Sequence, residues 1–163
     1  MAERASGEIP QHGVLHGYLA HIWYTVVHKI FVGQECWRYG LWWQGIVHDA
    51  SKFRWDELKG YTEHHFLKRT SKEEFEKIRC LHAGRNPHHY EYWTYYSYVW
   101  REIVATAMPD RYRKEMLADW RGAAKAKGFG GEDAVRFYYL VNRDTIILHP
   151  ETRAWVEKEL NIQ

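Results

Sequence analysis

The sequence predicts an all-α protein, a compact bundle of about six to eight helices. Three observations lead there. Apolar residues recur at three- and four-residue intervals along most of the chain. Turn and breaker residues, among them Gly33, Asn86-Pro87, Pro109 and His149-Pro150, cut that pattern into helix-length pieces. No run of paired strands interrupts it. With 163 residues, the chain is long enough to bury one substantial core without disulfide support.

The elements follow in order. Residues 1–11 read as a loose leader and 12–163 as a single domain, since no linker or repeat divides them. From Val14, the spacing of Leu15, Tyr18, Leu19, Ile22, Val26 and Ile30 predicts a helix with one buried apolar stripe, ending near Gly33. Tyr39 to Val47 is a second apolar segment, in which Trp42 and Trp43 are expected in the core, and Ser51 or Asp56 would cap a short turn after it. His64-His65 fall in a charged stretch expected to be a solvated turn. Ser71-Lys-Glu-Glu74 has the capping-box pattern and predicts a helix running to about Gly84, ahead of Asn86-Pro87.

Tyr90 to Trp100 carries seven aromatic residues, and here alternation (Tyr96, Tyr98, Trp100) competes with helical spacing. Helix is the expectation, continuing through Arg101 to Ala107 and buried on most sides or lining an oligomer interface. Tyr92, Trp93 or Tyr96 would be the residues to line a nucleoside pocket. Helices at Tyr112 to Ala126, Glu132 to Asn142 and Glu151 to Leu160 complete the bundle, with a loop over Gly128 to Gly131.

Composition excludes several classes. A net charge of +2 gives no general attraction to nucleic acid or anionic membrane. Leu41 to Val47, the longest apolar stretch, is far short of a membrane span, and two cysteines make no disulfide framework. A cytoplasmic protein is expected. The anomaly is 11 histidines, eight of them between His21 and His89.

Those histidines accompany carboxylates. His48-Asp49 closes an apolar segment; His21 and His28 lie two helical turns apart on one face; His82, His88 and His89 surround a turn; Glu115 and Asp119 share a helix face at i and i+4. Imidazole nitrogen with carboxylate oxygen suits a divalent ion such as Mn, Fe, Co, Ni, Zn or Mg, and a helical bundle brings such faces together. His12, His16 and His149 are expected to do surface or capping work.

In this order, His21, His48-Asp49-Ala-Ser-Lys52, His82, His88-His89 and Asp119 resemble the H…HD…D pattern of the HD-domain superfamily of metal-dependent phosphohydrolases. More narrowly, His21-Ile-Trp-Tyr, His48-Asp-x-Ser-Lys-Phe53, Arg85-Asn-Pro-His-His89 and Glu115-Met-x-x-Asp-Trp120 are similar to a little-characterised family of small HD-like proteins from phages and bacteria. The resemblance implies His21, His48, Asp49 and Asp119 as ligands of one ion. It favours His21 over His28 because Val26 follows at a matching distance, and it assigns His82, His88 and His89 to a second ion bridged by Asp49. Lys52 and Arg85 would neutralise phosphate oxygens, and Glu115 would orient water or hold a ligand histidine; its alternative is an ion pair with Arg111.

The implied activity is hydrolysis of a nucleotide or related phosphate ester, in the cytoplasm, the host's if the gene is a phage's. Two alternatives stay open: an oxygen-activating di-iron enzyme on the same scaffold, and a non-catalytic binding protein clamped by its metal. A homo-oligomer through the aromatic surface is also expected.

Overall fold

The computed structural model describes residues 11–130 and 132–162. The expected leader lies almost wholly outside them, as does the side chain of His12. Among the described residues the chain forms seven α-helices: α1 (Gln11–Arg38), α2 (Trp42–Val47), α3 (Trp55–His65), α4 (Lys72–Arg85), α5 (Asp110–Ala126), α6 (Glu132–Asn142) and α7 (Pro150–Glu159). Short 3₁₀ turns follow α2 (Ala50–Phe53) and α4 (Tyr90–Trp93). One antiparallel hairpin, β1 (Thr94–Ser97) and β2 (Glu102–Ala105), pairs Thr94 with Ala105 and Ser97 with Glu102. No helix among the described residues is long and apolar enough to cross a membrane. The fold is thus predominantly α, as the periodicity predicts.

Several local signals act as read. Ser71 accepts from the Glu74 backbone N–H while the Glu74 carboxylate accepts from the Ser71 N–H, a complete capping box that starts α4. His149 caps α7 by accepting from the Glu151 N–H, with Pro150 in the first turn.

Others are overturned. Gly33 does not end the first helix, which runs on to Arg38. Its missing side chain serves packing: a Cβ on Gly45 would sit 3.1 Å from Gly33 Cα, so this pair lets α2 lie close on α1. Neither Ser51 nor Asp56 caps the short turn after α2, whose N-cap is Asp49, and α3 starts from Arg54. His64 and His65 form the last turn of α3 and pack on Phe75, His64 stacked at 3.7 Å between centroids. The aromatic run is a 3₁₀ turn and a hairpin, because Tyr, Thr, Ile and Val favour extended backbone; Tyr95 and Tyr96 lie in β1, while Tyr98 and Trp100 fall in the turn between the strands. Tyr92, Tyr95, Tyr96, Tyr98 and Trp100 are exposed, as are Trp42 and Trp43, so none of these is core.

The largest reversal concerns α1. Of the expected buried stripe, Leu15, Leu19, Val26 and Ile30 are exposed and Tyr18 and Ile22 only half-buried; Trp23, on the same outward side, has 70% of its surface exposed. What α1 buries is His21, Thr25, His28, Val32, Glu35 and Cys36. Its main partner is α5, and the approach is tight: a Cβ on Gly122 would fall 2.4 Å from Val32 Cγ2 and 2.7 Å from Val32 N. Buried Glu35 anchors the same crossing through Lys125 of α5, with Arg38 of its own helix beside it.

The molecule therefore has two interiors. One is apolar, built by α5, α6, α7 and their connections around Met116, Leu117, Val135, Tyr139, Ile146, Val156 and Leu160. The other, between α1, α3, α4 and α5, is lined largely by polar groups, with Val32, Cys36 and Ala118 as a small apolar cluster. Burying so many polar groups is costly unless each is paired or a cation joins them.

Candidate metal centre

Five pieces of chain converge on the polar interior. His28 comes from the middle of α1 and Asp119 from α5, at the crossing that Gly122 makes close. His48 and Asp49 follow the last turn of α2. Asp49 takes a left-handed backbone (φ 52°, ψ 22°), a conformation that costs most residues about 1 kcal/mol or more and that Asp tolerates better than most. This turn ends α2 and leaves the Asp49 carboxylate fully inside. His82 lies near the end of α4, and His88 and His89 follow the Asn86-Pro87 break.

The donors form two groups that share Asp49. In the first, Asp119 Oδ1 is 3.0 Å from His28 Nε2 and 3.3 Å from His48 Nε2. Asp49 Oδ2 lies 3.4 and 3.6 Å from the same two nitrogens. In the second, Asp49 Oδ1 is 3.2 Å from His82 Nε2 and 3.5 Å from His88 Nε2, with His89 beside them. The atoms of each group lie within 4.8 Å of one another, close enough to hold a metal ion.

Hydrogen-bond accounting points the same way. His28 Nε2, His48 Nε2, His82 Nε2, His88 Nε2, His89 Nε2 and Asp49 Oδ1 are all buried and without a hydrogen-bond partner. Orphans of this kind are rare in folded proteins, and these six, divided between the two groups, fit cations. Outer carboxylates orient His48, His88 and His82, while His28 Nδ1 is buried without a partner. Glu115 Oε1 accepts from His48 Nδ1 at 3.1 Å and lies 3.3 Å from His88 Nδ1; Glu57 Oε2 accepts from His82 Nδ1 at 2.7 Å. With each of these Nδ1–H groups held by a carboxylate, Nε2 is the nitrogen turned inward to meet a metal, the arrangement that metal-binding histidines share. Ser51 donates to Glu57 at 2.8 Å and accepts from Asn86 at 2.7 Å, extending this support.

The electrostatics of the centre follow from its carboxylates. Burial opposes charge on His48, but Asp49, Asp119 and Glu115 outweigh it and hold the imidazolium up to about 10. His28 and His82 are raised in the same way, against burial, by Asp49 with Asp119 or Glu57. Asp49 and Asp119 stay well below the carboxylate range: burial would raise them, but Lys52 and His48 on Asp49, and His28 and His48 on Asp119, prevail. Protons thus supply positive charge that the carboxylates demand.

The expected residues divide as follows. His48, Asp49, His82, His88, His89 and Asp119 come together. His21 does not: its Nδ1–H donates to Thr62 Oγ1 at 2.8 Å, and the ring stacks on Phe66. Seven residues along a helix is about 10 Å, so His21 and His28 cannot reach one ion, and the close α1–α5 crossing selects His28. Lys52 Nζ lies 2.6 Å from Asp49 Oδ2. Arg85 is held by Asp56 and Glu57, so its charge is already matched. Glu115 supports histidines and does not pair with Arg111.

Glu57 is the supporting residue that the sequence did not disclose. An acid in the first turn of a helix is commonplace, and only its full burial distinguishes it. His28 carried a signal, the polar face His21–Thr25–His28, that the apolar stripe obscured.

Two clefts flank the centre. One, of about 400 Å³, reaches His48, Asp49 and Glu115 from the side of Trp43 and Arg111. The other, of about 560 Å³, lies between α5 and α6 and reaches His88, His89 and Asp119. Among the donors only Asp119 (16%) and His89 (27%) have appreciable side-chain exposure, so the centre opens toward this second cleft.

Scaffold and site together define a helical protein with a buried histidine–carboxylate centre able to hold metal. The chain belongs to a family of unknown function (DUF5662), matched over residues 17–162. No curated protein and no solved structure matches it.

Proposed function

We propose that the protein is a metal-dependent phosphohydrolase acting on a nucleotide or related phosphate ester. The observation that carries this reading is the pair of donor groups bridged by Asp49, sealed on most sides and open at Asp119 and His89. The HD-type resemblance of His48-Asp49 and Asp119 agrees with it. His28, His48, Asp49 and Asp119 would hold one divalent ion; Asp49, His82, His88 and His89 would hold a second. Such ions supply a water of lowered pKa and countercharge for a phosphoryl oxygen.

The chain's own residues prepare the site. Lys52 holds Asp49 ionised and adds positive charge beside it. Glu115 and Glu57 orient His48, His88 and His82, and Arg85 positions Glu57. Lys127, in the open cleft, gives a phosphate further countercharge, while Arg79 there is paired with Glu76 and Glu91.

The test is metal analysis of the purified protein, then a phosphate-ester panel with Mn, Co, Mg and Ni. Turnover with at least one ion is expected, and turnover with none refutes the reading. Five imidazoles against two carboxylates also suit iron, which keeps the oxygen-activating alternative as the second reading. Two irons per chain with an oxygen-dependent optical change would establish that alternative.

A further inference from the structure

The open cleft is more than a passage to the centre. At about 560 Å³ it falls within the usual range for small-molecule sites, and it reaches Asp119 and His89, the two donors with appreciable exposure, so whatever fills it is presented to the centre. Its walls are Met116, Trp120, Val135, Phe137 and Tyr138 of α5 and α6, with Tyr90 from the turn after α4. Trp120 and Tyr138 meet edge to face at 5.6 Å, and Phe137, 69% exposed, leaves an aromatic face bare in the same cleft. Aromatic walls of this kind take up flat apolar rings.

The polar side chains of the walls face one another. Arg79 Nη2 lies 3.5 Å from Glu91 Oε1, and Arg79 Nε 3.3 Å from Glu76 Oε2. The second Glu91 oxygen has His89 Nδ1 at 3.9 Å. The Asn142 amide donates to the Tyr138 carbonyl at 2.8 Å, and Lys127, just past the end of α5, is exposed and keeps its charge in water. Apart from the donors of the centre and the hydroxyls of Tyr90 and Tyr138, the lining therefore offers a ligand apolar contact in place of hydrogen bonds. A nucleoside brings base and ribose groups that such a surface strips of water without replacing it, which weakens binding; an apolar ring brings none.

We propose that the α5–α6 cleft binds the apolar, ring-bearing alcohol portion of a phosphate monoester, packed against Trp120, Phe137 and Tyr138, with its phosphate directed to the centre at Asp119 and His89. The phosphate half rests on the hydrolase reading above and, within it, selects an apolar ester over a nucleotide; the apolar half stands without it. Hydrolysis of such an ester places the oxygen of water on phosphorus, breaks the phosphorus–oxygen bond to the alcohol, and returns a proton to the departing alkoxide.

Calorimetry on the full chain tests the apolar half with naphthylmethanol, which lacks the phosphate. It should bind at least tenfold more tightly than adenosine, whose polar edges find no partners there. Phe137→Ser removes one ring from an exposed position and should weaken naphthylmethanol about tenfold, the loss of one stacking face. Ala134→Asp, which sets a charge in the cleft from the first turn of α6, should abolish binding with unchanged helical circular dichroism; should it fail to fold, Phe137→Ser carries the test alone. Trp23→Ser, on the outward side of α1, should change nothing. No naphthylmethanol binding, adenosine binding as tight, affinity that survives either cleft variant, or an equal loss with Trp23→Ser overturns the inference. Esters then separate the two halves. Naphthylmethyl phosphate should exceed AMP and methyl phosphate at least tenfold in kcat/KM; all three release an alkoxide, so the ratio reports the cleft and not the leaving group. Turnover without that preference would remove the cleft assignment and leave the hydrolase. Cleft binding with no ester turned over would remove the hydrolase and leave an apolar ligand site.

Discussion

Replacing Gly122 by Ala tests how the fold assembles the centre. In an open helix this change stabilises by about 1 kcal/mol, since Ala has the higher helix propensity. At Gly122 the new Cβ would lie 2.4 Å from Val32 Cγ2, 2.7 Å from Val32 N and 2.9 Å from Val32 Cα. The methyl group could rotate away, but the backbone atoms cannot. Restoring a carbon contact of about 3.5 Å requires α1 and α5 to separate by roughly 1 Å. Overpacking of this kind costs about 1–3 kcal/mol, and with backbone in the way the upper end applies, leaving a net loss of about 2 kcal/mol after the propensity gain. For a chain of this size that is a fall in Tm of about 4–8 °C. The same separation draws Asp119, one turn before Gly122, away from His28, one turn before Val32, lengthening their 3.0 Å approach. Metal affinity should drop about tenfold, as when ligand support is disturbed. Gly84→Ala is the control: it lies in α4 with nothing within 4 Å of its Cβ position, and should be neutral or stabilising. Thermal circular dichroism and calorimetric metal titration read both effects. If Gly122→Ala matched Gly84→Ala in Tm and kept native metal affinity, the close α1–α5 crossing would not be what builds the site.

Four further outcomes are expected. His28→Ala should lose one ion per chain by elemental analysis, His21→Ala should keep the full complement, and the reverse result would restore His21 as the ligand. Glu57→Gln and Glu115→Gln should each weaken metal binding by about 10–100-fold in competition with a chelating dye, and unchanged affinity would show that they do not orient the histidines. Because His28, His48 and His82 are raised in the ion-free chain, an entering ion must displace their protons; affinity should therefore climb with pH beyond 6.5 toward about 10, with proton release measurable in buffers of different ionisation enthalpy. A plateau just above pH 6.5 would contradict that electrostatic picture. Finally, the outward stripe of Leu15, Leu19, Trp23, Val26 and Ile30, continued by Trp37, Trp42 and Trp43, offers on the order of 1,000 Å² of apolar surface, enough for a second copy of the chain. Sedimentation should find a dimer that Trp23→Glu converts to monomer, and a monomeric native protein would rule this out.

Local chemistry was legible in the sequence where local energies decide the outcome. The capping box at Ser71–Glu74, the His149 cap, the break at Asn86-Pro87 and the span of α6 follow from hydrogen bonds and backbone limits within a few residues. So did most of the donors, since His48-Asp49, His82, His88-His89 and Asp119 form a pattern of residue types that ordinary packing does not call for. What the sequence could not decide was which face of each element turns inward. Periodicity shows that α1 is two-faced, and the hydrophobic effect alone would bury its leucines and tryptophan. Only the tertiary structure shows that α1 meets α5 on its polar face, because Gly122 admits Val32 there and the facing carboxylates compensate the histidines. That contact selects His28 over His21, turns an unremarkable Glu57 into a buried support for His82, and opens an aromatic cleft on α5 and α6 where the aromatic run at Tyr92 to Tyr96 had seemed the natural lining. Residue types determined that a histidine–carboxylate centre was present; the separation of two helices, a property of no single segment, decided which residues make it.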